Sequence, residues 1–219
     1  MELLFLGDSI TDCDHLFDQD QLGNGYVRMI AEQLGYGYSP LSVKNLGQNG
    51  ATITALHRNY KQFGADLAPD IITILVGIND IALIHNTGRS ASEVLSQFRE
   101  NYDQLLQEIR AAHDCPIFMM ETFIFSEPAE FVHWEPHVRA CNQILQELAQ
   151  TYQAVFIPLW EELQTSAQYE GASALSPDGI HLTKLGHEIL KEFWLDAYYV
   201  VFSTSSQVSQ SILPTEPEE

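Results

Sequence analysis

Basic residues are scarce in this 219-residue chain: 10 Lys and Arg stand against 30 Asp and Glu, a formal net charge of −20. A field of that sign repels phosphate backbones and anionic bilayers, although salt screens it beyond about 8 Å. Nucleic acid and other polyanions are therefore excluded as partners. Neutral or cationic small molecules remain, and most of the charge serves solubility. Cysteine is sparse too. Cys13, Cys115 and Cys141 are an odd number without a C-x-x-C pair, so neither a disulfide framework nor a zinc knuckle is suggested. Cys115 and Cys141 sit in apolar patterns and read as core thiols. Cys13 lies near Ser9, but no histidine stands in a supporting motif for it, and it reads as a structural neighbour. No apolar run approaches the roughly 18 residues of a membrane span. Met1-Glu2 runs straight into Leu3-Leu4-Phe5-Leu6, with no basic start and no cleavage site, which predicts a cytoplasmic protein.

What is present is an ordinary globular composition, 45% apolar and 11% aromatic. Leu3–Leu6, Ser42–Leu46, Ile71–Val76, Ile117–Met120 and Val155–Ile157 read as buried strands of a parallel sheet. Helical stripes fall between and after them. Val94, Leu95, Phe98, Tyr102, Leu105, Leu106 and Ile109 share one face, with Ser92 as the expected N-cap. Val138, Cys141, Leu145, Leu148 and Tyr152 make a second stripe. Leu185, Ile189, Phe193, Trp194 and Ala197 make a third, capped by Thr183. Strands alternating with helices of this length predict a single α/β domain over residues 1–202, a three-layer α/β/α sandwich around a parallel five-stranded sheet. Residues 203–219 form a polar, acidic tail expected to be mobile or loosely docked.

Ligands of open parallel sheets sit at the carboxyl ends of the strands. Those ends read Gly7-Asp8-Ser9, Asn45-Leu46-Gly47-Gln48-Asn49-Gly50, Gly77-Ile78-Asn79-Asp80 and Glu121-Thr122, and a loop Ser176-Pro177-Asp178-Gly179-Ile180-His181 precedes the last helix. A serine hydroxyl becomes nucleophilic when a histidine within reach removes its proton and a carboxylate orients that histidine. Asp178 and His181, three apart across a Pro-Asp-Gly turn, place a carboxylate within reach of Nδ1 and leave Nε2 free for Ser9. Taken alone, the pair reads more readily as a turn residue and helix-start cap beside a buried histidine. Acyl transfer also needs donors for the developing oxyanion, and the Ser9 N–H, the Gly47 N–H and the Asn79 amide are the candidates at these strand ends.

In that order, G-D-S-I-T, N-L-G-Q-N-G, G-I-N-D and D-G-I-H-L-T resemble the motif blocks of the SGNH (GDSL) hydrolases. The resemblance runs from Leu4 to about Tyr198. It implies a flavodoxin-like fold, Ser9 as nucleophile, Gly47 and Asn79 as oxyanion donors, and His181 as base partnered by Asp178. The chemistry needs no cofactor and no metal. Ser9 lacks the G-x-S-x-G elbow of the other large α/β hydrolase family.

His133-Trp134-Glu135-Pro136-His137 brackets a glutamate with two histidines, but Pro136 sits badly for a helix carrying both, and the segment reads as surface or pocket wall. Phe123, Phe125, Phe131 and Trp134 follow the fourth strand, where loops shape substrate pockets. They and Asp8 are candidate pocket residues, the rival reading of the aromatics being a hydrophobic plug or an oligomer contact. The expected activity is hydrolysis of a small or medium neutral acyl ester, with carbohydrate deacetylation the leading version. An acyl thioesterase or lysophospholipase would use the same triad. A non-catalytic carbohydrate- or partner-binding protein is the alternative outside enzymology.

Overall fold

An apolar run such as Leu3–Leu6 has no polar face, so it is stable as a strand only when both sides are covered. The computed structural model covers it on both. It describes residues 1–35, 40–127 and 129–210, with Glu130 and 204–210 described by backbone alone. Five parallel strands, β1 (Glu2–Gly7), β2 (Ser42–Gly47), β3 (Ile71–Leu75), β4 (Ile117–Met120) and β5 (Val155–Ile157), form one sheet in the order β2-β1-β3-β4-β5. This is the flavodoxin-like order, whose switch point lies between β1 and β3. The strands agree with the sequence reading to within a residue or two at their ends.

The helices of the domain are α1 (Ser9–Asp12), α2 (Tyr26–Gly35), α3 (Ile53–Asn59), α4 (Ile78–Thr87), α5 (Ala91–Ala112), α6 (Glu135–Thr151), α7 (Trp160–Glu170), α8 (Ala172–Leu175) and α9 (Lys184–Gln210). Alternation along the strands decides which helix meets which face. Phe5, Thr73 and Phe118 stand in register across β1, β3 and β4. Trp194 of α9 lies over that row, its ring 5.8 Å from Phe5 and 5.4 Å from Phe118, and its Nε1–H donates to Thr73 Oγ1 at 2.9 Å. The predicted stripes of α5 and α6 are buried except at Leu95 and at Tyr152, which are half-buried, Tyr152 lying just past the end of α6. Thr183 caps α9 as expected, accepting from the Gly186 N–H at 3.2 Å. Ser92 does not cap α5: the helix begins at Ala91 behind Ser90, and Ser92 lies within the first turn. The backbone of α9 continues helical past Phe202 to Gln210, into the segment read as a tail, and residues 211–219 lie outside the described residues.

Candidate active site

The chain turns sharply after β1 because Asp8 caps α1. Its Oδ1 accepts the Ile10 N–H at 3.0 Å, which lifts Ser9 to the end of the sheet. Asp8 is 1% exposed, and burial pushes its carboxyl up to about 7 although the Ile10 N–H favours the ionised form. It is therefore a buried cap beneath Ser9, and it is not among the residues that border the crevice onto which Ser9 opens. Beside it, the Asn45 side chain ties three segments together. Its Nδ2 donates to the carbonyls of Thr11 and Leu22 at 2.7 and 2.9 Å, and its Oδ1 accepts the Gly47 N–H at 2.9 Å.

That last bond corrects the reading of Gly47, whose N–H is already taken and points into the structure. Glycine is required there for close packing: a Cβ would fall 2.3 Å from the Asp12 nitrogen, where α1 rests on β2. Three residues on, Gly50 has φ +72°, is exposed, and has open space where a Cβ would stand. Among the described residues its N–H has no hydrogen-bond partner, and neither has the Ser9 N–H. The turn holding Gly50 is pinned on both sides. The Asn49 N–H donates to Asp12 Oδ2 at 2.9 Å, and Asn79 Nδ2 donates to the Ala51 carbonyl at 3.1 Å. Among the described residues, one amide hydrogen of Asn79 stays uncommitted. The sequence reading ends this strand at Leu46 and so leaves both glycines of N-L-G-Q-N-G beyond it; β2 runs through Gly47, and only Gly50 lies past its end.

From the other end of the chain, Asp178 organises its loop with both carboxylate oxygens. Oδ1 accepts the N–H groups of Ile180 and His181 at 3.0 and 2.8 Å, and Oδ2 meets His181 Nδ1 at 2.6 Å. Burial alone would raise this carboxyl, but the His181 ring and the two N–H groups outweigh it and hold it below the usual carboxylate range. His181 Nε2 then stands 2.9 Å from Ser9 Oγ, across 172 residues of sequence. A hydroxyl, an imidazole and a carboxylate form one hydrogen-bonded line, with the carboxylate fixing the ring so that Nε2 faces the hydroxyl.

Ser9 and His181 open into a crevice of about 210 Å³, shared with Asp12, Cys13, Asn49 and His187. The contact of His187 with Cys13 escaped the sequence reading. His187 Nδ1 accepts the Tyr26 N–H at 3.3 Å, so Nε2 carries the hydrogen directed at Cys13 Sγ, 3.3 Å away. The thiol in turn donates to the Ile10 carbonyl at 3.2 Å. Burial drives His187 down to about 4, and burial together with the neighbouring carboxylates drives Cys13 up to about 12. A histidine that donates to a thiol of that acidity cannot serve as its base, and Cys13 is no rival nucleophile.

The aromatic segment after β4 lies below the site. Phe123 and Phe125 are buried in the core, and Phe131 and Trp134 are each 8% exposed, packed edge to face. Phe125, Phe131 and Trp134 are thus buried and are not among the residues that border the crevice of Ser9 and His181. They support the loop of His181: the Phe125 N–H donates to the Gly179 carbonyl at 2.9 Å, and Phe131 lies so close under Gly179 that a Cβ would fall 2.7 Å from its ring. His137 meets His85 at 3.0 Å, and His85 stacks on Trp134. Among the described residues no three His, Cys, Asp or Glu side chains converge as a metal site, and no helix is long and apolar enough to cross a membrane.

Comparison with known proteins adds the following. The family model of the GDSL-like lipase/acylhydrolase family matches residues 5–189. An acetylxylan esterase of Geobacillus stearothermophilus is 25% identical over 206 residues, covering 89% of this chain and 92% of that protein. A crystal structure described as a GDSL-like lipase from Parabacteroides merdae superposes with a TM-score of 0.81 at 23% identity, covering 90% of this chain and 94% of the other. A crystal structure of the Geobacillus stearothermophilus acetylxylan esterase gives 0.75 at 24% identity, with 90% and 93% covered.

Proposed function

Because the chain belongs to the GDSL-like lipase/acylhydrolase family and is a carboxylic ester hydrolase, we propose that it cleaves short acyl esters through an acyl-enzyme on Ser9, with an O-acetylated carbohydrate as the substrate class. The observation that carries this reading is the line Ser9 Oγ, His181 Nε2, His181 Nδ1, Asp178 Oδ2, with contacts of 2.9 and 2.6 Å. As Ser9 Oγ attacks the carbonyl carbon, its proton passes to His181 Nε2, and Asp178 stabilises the imidazolium. The carbonyl oxygen becomes an oxyanion held by the Ser9 N–H, the Gly50 N–H and the free amide hydrogen of Asn79. Collapse of the tetrahedral intermediate breaks the ester C–O bond, and His181 returns the proton to the departing alkoxide. Water then repeats the sequence on the acyl-enzyme, giving the acid and free Ser9.

The crevice favours the short-acyl version over the lysophospholipase version. About 210 Å³, bordered by Asp12, Asp14, Asn49 and the two histidines with only Ile10 and Leu182 as aliphatic neighbours, is small for a long acyl chain. The Geobacillus relative is an acetylxylan esterase, which supports an acetylated sugar as the substrate.

A 4-nitrophenyl ester series from acetyl to decanoyl, run on wild type and Ser9→Ala, tests the reading. We expect the highest kcat/KM with acetyl and a loss of at least 10³-fold in Ser9→Ala. Rates that climb with chain length would refute the short-acyl assignment, and undiminished turnover in Ser9→Ala would refute the nucleophile.

A further inference from the structure

A second groove of about 550 Å³ opens beside the catalytic crevice, and His15, Leu46, Gln48, Arg58, Gln62 and Phe63 are among the residues that line it. The two cavities share a wall. Asp12 borders the crevice, and its Oδ1 meets His15 Nδ1 at 2.6 Å while its Oδ2 accepts the Asn49 N–H. Gln48 faces the groove and Asn49 the crevice, so consecutive residues of one turn look into both.

We propose that this groove is the subsite for the leaving group, and that it takes the neutral, hydroxyl-rich ring next to the esterified sugar. The proposal rests on the esterase reading above and assigns where the alcohol portion of that substrate lies.

Four observations converge on such an occupant. Phe63 is 56% exposed and presents a large apolar side chain at the groove, the kind of surface on which the C–H face of a sugar ring packs. Gln48, Gln62 and Arg58 add amide and guanidinium groups for its hydroxyls. Arg58 makes no ion pair among the described residues. His15 is only 6% exposed, and with Nδ1 engaged by Asp12 its Nε2 is the ring nitrogen without a partner, on a residue that lines the groove. An aliphatic chain laid there would strip water from these groups and return no hydrogen bonds. A pyranose satisfies both the apolar and the polar parts of the wall.

Gln62 and Phe63 lie on a single π-helical turn, Tyr60–Gly64, which follows α3 directly. Both side chains are exposed, so replacing them leaves the core untouched.

The test compares wild type, Phe63→Ala and Gln62→Ala on an acetylated xylo-oligosaccharide and on 4-nitrophenyl acetate, whose leaving group is too small to span both cavities. We expect the ratio of kcat/KM for the sugar acetate to that for 4-nitrophenyl acetate to fall about tenfold in each variant. An unchanged ratio overturns the subsite and leaves the esterase reading standing. Independently of turnover, unacetylated xylotetraose titrated into Ser9→Ala should shift the Phe63 ring resonances, and Phe63→Ala in that background should weaken binding about tenfold. Sugar binding that is blind to Phe63 overturns the proposal. Binding that depends on Phe63 in a chain that hydrolyses no ester overturns the esterase reading alone.

Discussion

Asp80 should make the stability of this protein fall as the pH rises towards neutrality, and Asp80→Asn should abolish its share of that fall. The residue follows Asn79 in the first turn of α4, is 6% exposed, and accepts the Ile53 N–H at 3.0 Å. Burial pushes its carboxyl from 3.8 to about 7; the Ile53 N–H opposes the shift and the buried Asp8 carboxylate adds to it. Between those values the native state keeps a proton that the unfolded chain has released. Stability then drops by about 1.4 kcal/mol for each pH unit, and the drop ends above pH 7. From pH 5.5 to 7 the contribution of Asp80 is thus on the order of 2 kcal/mol. Asparagine keeps an acceptor for Ile53 and never ionises. Urea denaturation of both proteins at pH 5.5 and pH 8 isolates the effect, since contributions shared by the two cancel. His187, held down to about 4, is one such contribution and has the opposite sign. We expect the stability of Asp80→Asn minus that of wild type to grow by about 2 kcal/mol between the two conditions. A difference that does not change with pH would refute the reasoning.

Three further predictions separate neighbouring roles. Gly50→Ala should cut kcat on 4-nitrophenyl acetate by about 10- to 100-fold, because its φ of +72° strains a residue with a Cβ and misaims an oxyanion donor. Gly47→Ala should instead show as a loss of at least about 2 kcal/mol in urea denaturation, since its Cβ meets the Asp12 backbone at 2.3 Å. Phe125→Ala should lower stability by about 3–5 kcal/mol, the cost of emptying a fully buried ring site, and should leave the acyl-chain preference unchanged. A shifted preference there would restore Phe125 to the pocket.

The strands were legible because a sheet covered on both faces needs unbroken apolar runs, and Leu3–Leu6 and Ile71–Val76 are too short for a buried helix and leave no face for water. The pairing of Asp178 with His181 was legible for a similar reason: a three-residue turn leaves little freedom for where the carboxylate reaches. The sequence was mute where a side chain competes for a backbone group. Nothing in N-L-G-Q-N-G announces that Asn45 turns back to occupy the Gly47 N–H. Aromatics in a loop misled for a related reason, since apolar surface near a site is worth burying whether or not substrate is present. Phe125 and Phe131 bury themselves under Gly179 and so stiffen the site from below. The contact that His187 makes was out of reach. Its partner Cys13 lies 174 positions away, and only the packing of α9 against α2 brings them together.

The 172 positions that separate His181 from Ser9 also set a clock on biosynthesis. A chain growing at about 5–20 residues per second needs roughly 10 to 35 seconds after the serine is made before the histidine follows. During that time the first strand and its hydroxyl can settle, yet the serine has no base and remains an ordinary alcohol. The loop of His181 is held by Thr183 at the start of α9, and α9 is anchored to the sheet through Trp194. On the proposed triad, hydrolytic competence is therefore acquired late in synthesis, and a nascent chain stalled before residue 181 would lack the base for its serine.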